Sequence, residues 1–140
     1  MINDIINALS LKLFEKFNRK IYFEQIPQNF EENCFFIKVI SNKEEQVVGH
    51  RYKVNTTFDI AYLSNPNNSD SEYLYNLLHQ INDITDFLTL ENGDVLRGTN
   101  RNNQINDGDL HHVVSYQHFR IKEHSKADYM ENLEHKGGLK

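Results

Sequence analysis

The chain has 140 residues, a formal net charge of −5, one cysteine and no tryptophan. That length fits one domain with a core that needs no covalent staples, and the acidic balance disfavours general nucleic-acid binding. The lone thiol, Cys34, excludes an internal disulfide, no run approaches the roughly 20 apolar residues of a membrane-spanning helix, and the amphipathic start carrying Asp4 does not read as a signal peptide.

Ile2, Ile5, Ile6, Leu9, Leu13 and Phe17 recur at helical spacing. They predict an amphipathic helix over about 2–17 whose stripe packs on a sheet. Ile21 to Glu24 reads as a short strand that Pro27 ends or marks as an edge. Phe30 to Asn33 is a polar connector. Cys34 to Ile40 is apolar on both faces apart from Lys38, which predicts a central strand with Cys34 as a small buried hydrophobe. Ser41 to Gln46 is charged and reads as a turn.

A long strand is then expected over Val48 to Tyr62 or Leu63. Its even positions are Val48, Tyr52, Val54, Phe58, Ile60 and Tyr62, and its odd positions are Arg51, Lys53, Asn55, Thr57 and Asp59. Such alternation marks a half-buried antiparallel strand. A strand this long exceeds the usual 3–10 residues and must project beyond a small core, or bend.

Ser64 to Asp70 is the clearest loop. Ser69, Asp70 or Ser71 can cap a second helix with Glu72 in its first turn. That helix is expected to reach about Phe87, with Leu74, Leu77, Leu78, Ile81 and Ile84 as its stripe and Leu88 as an extension. Asn92-Gly93-Asp94 is a turn. Val95 opens a strand, but Arg97 to Asn103 is too polar for a central one and reads as a loop. Asn106-Asp107-Gly108-Asp109 is a hairpin turn before a last strand over Leu110 to Lys122. From Glu123 onward the chain is charged and is expected to be mobile or ordered by a partner.

The order helix, strands, helix, strands predicts an α+β fold. Two helices pack on one face of a mostly antiparallel sheet with a long projecting strand or hairpin. Residues 1–122 form the domain and 123–140 a charged tail.

Chemistry is sparse. His111, His112, His118 and His124 lie close in sequence, but neighbours on a strand face opposite ways. His112 and His118 share a face yet stand about 20 Å apart at strand rise. Exposed strand histidines are expected rather than a metal site. Glu31-Glu32 and Glu44-Glu45 read as solvated connector charge. Ser41 and Ser115 have no nucleophile-elbow context. Gly93, Gly98 and Gly108 do not form a phosphate loop. No catalytic, metal-binding or cofactor-binding residue is assigned, and no cofactor is expected.

Basic residues show more order. Arg51 and Lys53 share the outer face of the long strand with Asn55 and Asp59. Arg97 and Arg101 flank the polar stretch, and Arg120 and Lys122 end the last strand. These eight residues are the candidate subunit or partner interface. The bland alternative is a solvated strand surface.

Cys34-Phe35-Phe36-Ile37-Lys38-Val39, Gly49-His50-Arg51-Tyr52 and Phe58-Asp59-Ile60-Ala61-Tyr62 together resemble the tail terminator (tail completion) proteins of tailed phages and phage-derived contractile particles. Leu96-Arg97-Gly98-Thr99-Asn100 and Asp107-Gly108-Asp109-Leu110-His111 continue the resemblance, as does the opening Met1-Ile2-Asn3-Asp4-Ile5-Ile6. It covers residues 1–122. It implies an α+β structural subunit, not an enzyme. Such subunits form a homo-oligomeric ring, a hexamer, that caps the completed tail tube, ends its polymerisation and offers a surface for head or collar joining.

The implied partners are other copies of the chain, the tail tube protein, and sheath and head-connector or collar proteins. No membrane and no direct nucleic-acid recognition are expected. The implied location is the tail neck of a particle, and the host cytoplasm during assembly. A head–tail connector of the neck is the second reading. A small metal-dependent enzyme using His111 or His112 with Asp107 or Asp109 is the third.

Overall fold

A computed structural model describes residues 1–29, 33–64, 71–106 and 108–122. The connector at 30–32, the loop at 65–70, Asp107 and the tail at 123–140 lie outside the described residues. Eight elements follow in order: α1 (Ile2–Phe17), β1 (Ile21–Phe23), β2 (Cys34–Val48), β3 (Arg51–Leu63), α2 (Ser71–Asp86), β4 (Phe87–Thr89), β5 (Val95–Asn106) and β6 (Asp109–Ile121). The expected α+β architecture is the one found.

The sheet runs β1-β2-β3-β6-β5-β4. Every neighbouring pair is antiparallel except β1 with β2, which is parallel. Both helices cover one face. From α1 come Ile5, Leu9 and Leu13, fully buried, and from α2 come Leu74, Leu77 and Ile81. They meet Phe35 and Ile37 of β2, Phe58, Ile60 and Tyr62 of β3, and Leu110, Val114 and Tyr116 of β6. The inward positions of β3 and β6 alternate as a period of two requires. Asn18 closes α1 in the left-handed region at φ 53°, its N–H bonded to the Phe14 carbonyl.

Three expectations are corrected. Ser41 to Gln46 is not a turn. It is the outer half of β2, paired with Tyr52 to Thr57 of β3 after a bulge at Ile40. The reversal is the two-residue loop Gly49-His50. Gly49 has φ +55°, as a primed hairpin turn with glycine first requires. Residues 42–48 are all exposed, so no core face imposes apolar alternation on them. Phe87 and Leu88 do not extend α2 but form β4 against Val95 to Arg97. Arg97 to Asn103 is not a loop. It belongs to β5, with a bulge between Thr99 and Asn102 and Asn100 at φ 51°. Its polarity is tolerated because β5 lies near the sheet margin.

The C-terminal end of α2 shows how the layers lock. The last carbonyls of a helix have no partner within it and carry its negative dipole end. Here Arg101 Nη1 donates to the Asn82 carbonyl at 2.7 Å. Lys12 Nζ reaches the Ile84 carbonyl at 3.4 Å and also bonds the Phe87 carbonyl. Tyr116 Oη donates to the Thr85 carbonyl at 2.8 Å. Gly98 lies under the same carbonyl, and a Cβ there would stand 2.2 Å from it. A glycine inside a strand is explained by this close approach.

Candidate assembly surface

Among the described residues, the second face of the sheet carries no helix. Lys53, Asn55, Thr57 and Asp59 of β3 stand on it beside Lys38, Ser41 and Lys43 of β2 and His111, Val113, Ser115 and Gln117 of β6. It is a largely polar surface with its own cross-strand bonds. The Thr57 and Ser115 hydroxyls are 2.7 Å apart. His111 Nδ1 is 3.2 Å from an Asp59 carboxylate oxygen. This face gives way to a more apolar one towards the tip, where Phe119 and Ile121 are exposed and the Arg51 guanidinium sits 4.1 Å from the Phe119 ring centre.

The tip is three-stranded rather than a lone hairpin. Arg51 pairs with Ile121, and Lys122 N–H bonds the His50 carbonyl at 2.9 Å. A third strand matters, because an isolated two-stranded hairpin is marginal in water. On the inner side Glu44 gathers two cations, Arg120 at 3.7 Å and Lys122 at 2.9 Å. These pairs are largely exposed and contribute little to stability. Lys122 also lies 4.3 Å from the Tyr52 ring centre.

The candidate interface residues therefore fall into groups. Arg51, Lys53, Asn55 and Asp59 share one face, as alternation requires. Arg120 and Lys122 meet at Glu44. Arg97 and Arg101 sit on β5 beside α2, with Arg97 over the Phe87 ring at 5.9 Å and Arg101 3.6 Å from Asp86. Most of these side chains already hold a partner within the subunit. Among the described residues, no ion pair engages Lys53.

Between α2 and β5 lies an open polar cleft of about 700 Å³, lined by His79, Asn82, Asp83, Asp86, Arg97 and Arg101 among others. Behind it sits a buried network that sequence reasoning missed. His112 and His118 are not exposed strand histidines; both are buried. His112 Nε2 lies 2.9 Å from Thr85 Oγ1 and its Nδ1 2.6 Å from Asn103 Oδ1. Asn103 Nδ2 donates in turn to Asn82 Oδ1 at 3.1 Å. An Nδ1-protonated neutral ring satisfies every member. Burial pulls the His112 pKa down to about 4, and the nearby Arg101 charge adds to this. His118 is lowered by burial too, with the N-terminal amine and Arg120 adding. Two signals pointed here: Thr85 continues the α2 stripe one turn after Ile81, and Gly98 interrupts a strand.

His111 and His112 face opposite sides of β6, as strand geometry demands. Among the described residues, no three His, Cys, Asp or Glu side chains cluster to hold a metal ion. What the subunit presents is an uncovered sheet face, a projecting tip and a shallow cleft.

The comparisons with known proteins agree with that equipment. The profile of the family described as "Phage tail terminator protein" matches residues 4–128. The chain belongs to the phage tail terminator family. It is a structural component of tail assembly, and its family acts together with other parts of the phage particle. No curated protein matches the chain. Among the solved structures, one overlays with a TM-score of 0.44 at 11% identity, covering 90% of this chain and 99% of its own.

Proposed function

We propose that this protein forms a ring on the end of the completed tail tube, stops its polymerisation and offers the surface to which the head or collar joins. The observation that carries the reading is the family match over residues 4–128. The fold supports it. A ring of identical subunits uses heterologous contacts, so one subunit must offer two different surfaces that match. The sheet margins at β2 and at β5, the latter beside the cleft, are two such surfaces, and the uncovered sheet face and the tip are left for the tube and the collar. Arg97 and Arg101 supply contacts at the cleft, Arg51, Lys53, Asn55 and Asp59 on the uncovered face, and Arg120 and Lys122 at the tip. The ring is a hexamer, with the tail tube protein below it and sheath, connector or collar proteins around it. Residues 1–122 are its body, and the charged segment 123–140 adds contacts after assembly in the host cytoplasm.

The test is length control. Purified protein added to polymerising tail tubes should arrest them, and particles lacking the gene should carry tubes of uncontrolled length. Normal tube length in the gene's absence would reject the reading. Normal tubes that fail to join heads would favour the neck-connector role instead.

A further inference from the structure

Among the described residues, the sheet has two long unpaired margins. β1 covers β2 only at Phe35 to Ile37, and β4 covers β5 only at Val95 to Arg97. Among the described residues, Lys38 to Val48 of β2 and Gly98 to Asn106 of β5 pair on one side only. Unpaired margins present rows of N–H and C=O groups that invite another strand. Neither stretch contains proline; β2 has a register shift near each end of its free stretch and β5 one near its start, and Lys38, Lys43 and Arg101 keep the margins soluble in the free subunit.

We infer that these margins are complementary, and that β2 of one copy adds to β5 of the next in a continuous sheet running around the assembly. The inference rests on the ring reading and names the contact that would close it. Direction fits. Between the margins lie β2, β3, β6 and β5, each antiparallel to the next. An even number of alternating strands leaves β5 opposed to β2, so a rotated copy meets it in antiparallel register. Length fits too, with nine residues on β5 (98–106) against eleven on β2 (38–48). Chemistry fits on the inner side. The free half of β2 turns Asn42, Glu44 and Gln46 inward, and the cleft that borders the β5 margin is polar. This is strand addition into a groove between an edge strand and a helix.

The guard strands set the offset. β1 shields the start of β2 and β4 the start of β5, at opposite ends of the sheet. The free stretches meet only if each copy is displaced along the strands relative to the last. Strands tilted to the ring axis produce that displacement, as in closed barrels.

Rotation keeps the same face outward, so side chains of the uncovered face on both strands fall on one side. Lys43 of β2 lies on that face, as do Thr99, Asn102 and Gln104 of β5. The test pairs Lys43→Cys with Thr99→Cys, Asn102→Cys or Gln104→Cys in turn, oxidised in rings on tail tubes, leaving the buried Cys34 in place. At least one pair should give covalent oligomers larger than a dimer on a denaturing gel. Single variants cannot exceed a dimer. Hydrogen exchange supplies a second readout. Alternate amides of residues 98–106 should slow on the order of a hundredfold on ring formation, the signature of a paired strand margin. Rings of unchanged native mass, with no oligomer from any pair and unchanged exchange, would overturn the inference and leave the terminator reading standing. Protein that stays monomeric on tubes would remove the ring and the inference together.

Discussion

His112 gives the sharpest test of the folded core. It is fully buried between α2 and β5, and its ring is neutral at pH 7. Protonation does not break its bond to Thr85, because that hydroxyl can turn to donate to the Ile81 carbonyl, 2.8 Å away. The cost is desolvation of the cation, increased by Arg101. The folded pKa is about 4 against 6.5 for the free side chain. The sign follows. Above pH 6.5 the ring is neutral in both states and the full stability is present. As pH falls below 6.5 the unfolded chain takes up a proton that the folded one refuses, so stability falls until about pH 4, where the loss levels off. The total is about 3 kcal/mol, of which about 2 kcal/mol is lost by pH 5. Urea unfolding at pH 7.5 and pH 5 measures this. His112→Gln should lower stability at pH 7.5 by about 1–3 kcal/mol through unmade buried bonds. It should also shrink the difference between the two pH values by about 2 kcal/mol, the part assigned to His112. Equal pH dependence in the two proteins would refute the assignment. His118 shifts in the same direction and leaves a residual slope in the variant.

Gly98→Ala should destabilise by about 1–3 kcal/mol, because its Cβ would meet the Thr85 carbonyl at 2.2 Å and Val114 at 3.0 Å; a thermal midpoint unchanged within error would show that β5 shifts freely. Leu77→Ala at a buried site should cost about 2–5 kcal/mol, and Leu78→Ala less, since Leu78 is only partly buried. Equal losses by chemical denaturation would put the stripe of α2 one position out. Arg51→Glu together with Lys53→Glu should leave the far-ultraviolet circular dichroism unchanged but weaken ring or tube contacts, most at low salt. Normal assembly of that variant would make the uncovered face of β3 plain solvent surface.

The elements with a covered face were legible. In α1, Ile5, Leu9 and Leu13 fall at helical spacing because the same positions enter the core. In β3, Val54, Phe58, Ile60 and Tyr62 alternate for the same reason. The partners in the buried polar network were not legible. Thr85 on the α2 stripe and Gly98 within a strand mark the place, but Asn103 and His112 come from other elements, and each alone reads as surface. A histidine on an inward strand position carries no sign of its partners. Leu88 was misassigned because three residues are too few to show a period.

The two larger misreadings share one cause. Ser41 to Gln46 read as a turn and Arg97 to Asn103 as a loop, yet both are strand. Apolar alternation records burial of one face against a core. Among the described residues, the outer half of β2 has no helix over it and β5 beyond Arg97 has a neighbour on one side only, so neither stretch had burial to record. Polar residues there cost nothing in the single subunit and keep it soluble. What holds these stretches extended is pairing with β3 and β6, whose own patterns are strong. A strand margin that stays wet until another copy covers it will look like a loop in sequence. The places where residue patterning fails are therefore, in this fold, the same two margins that an assembly would use.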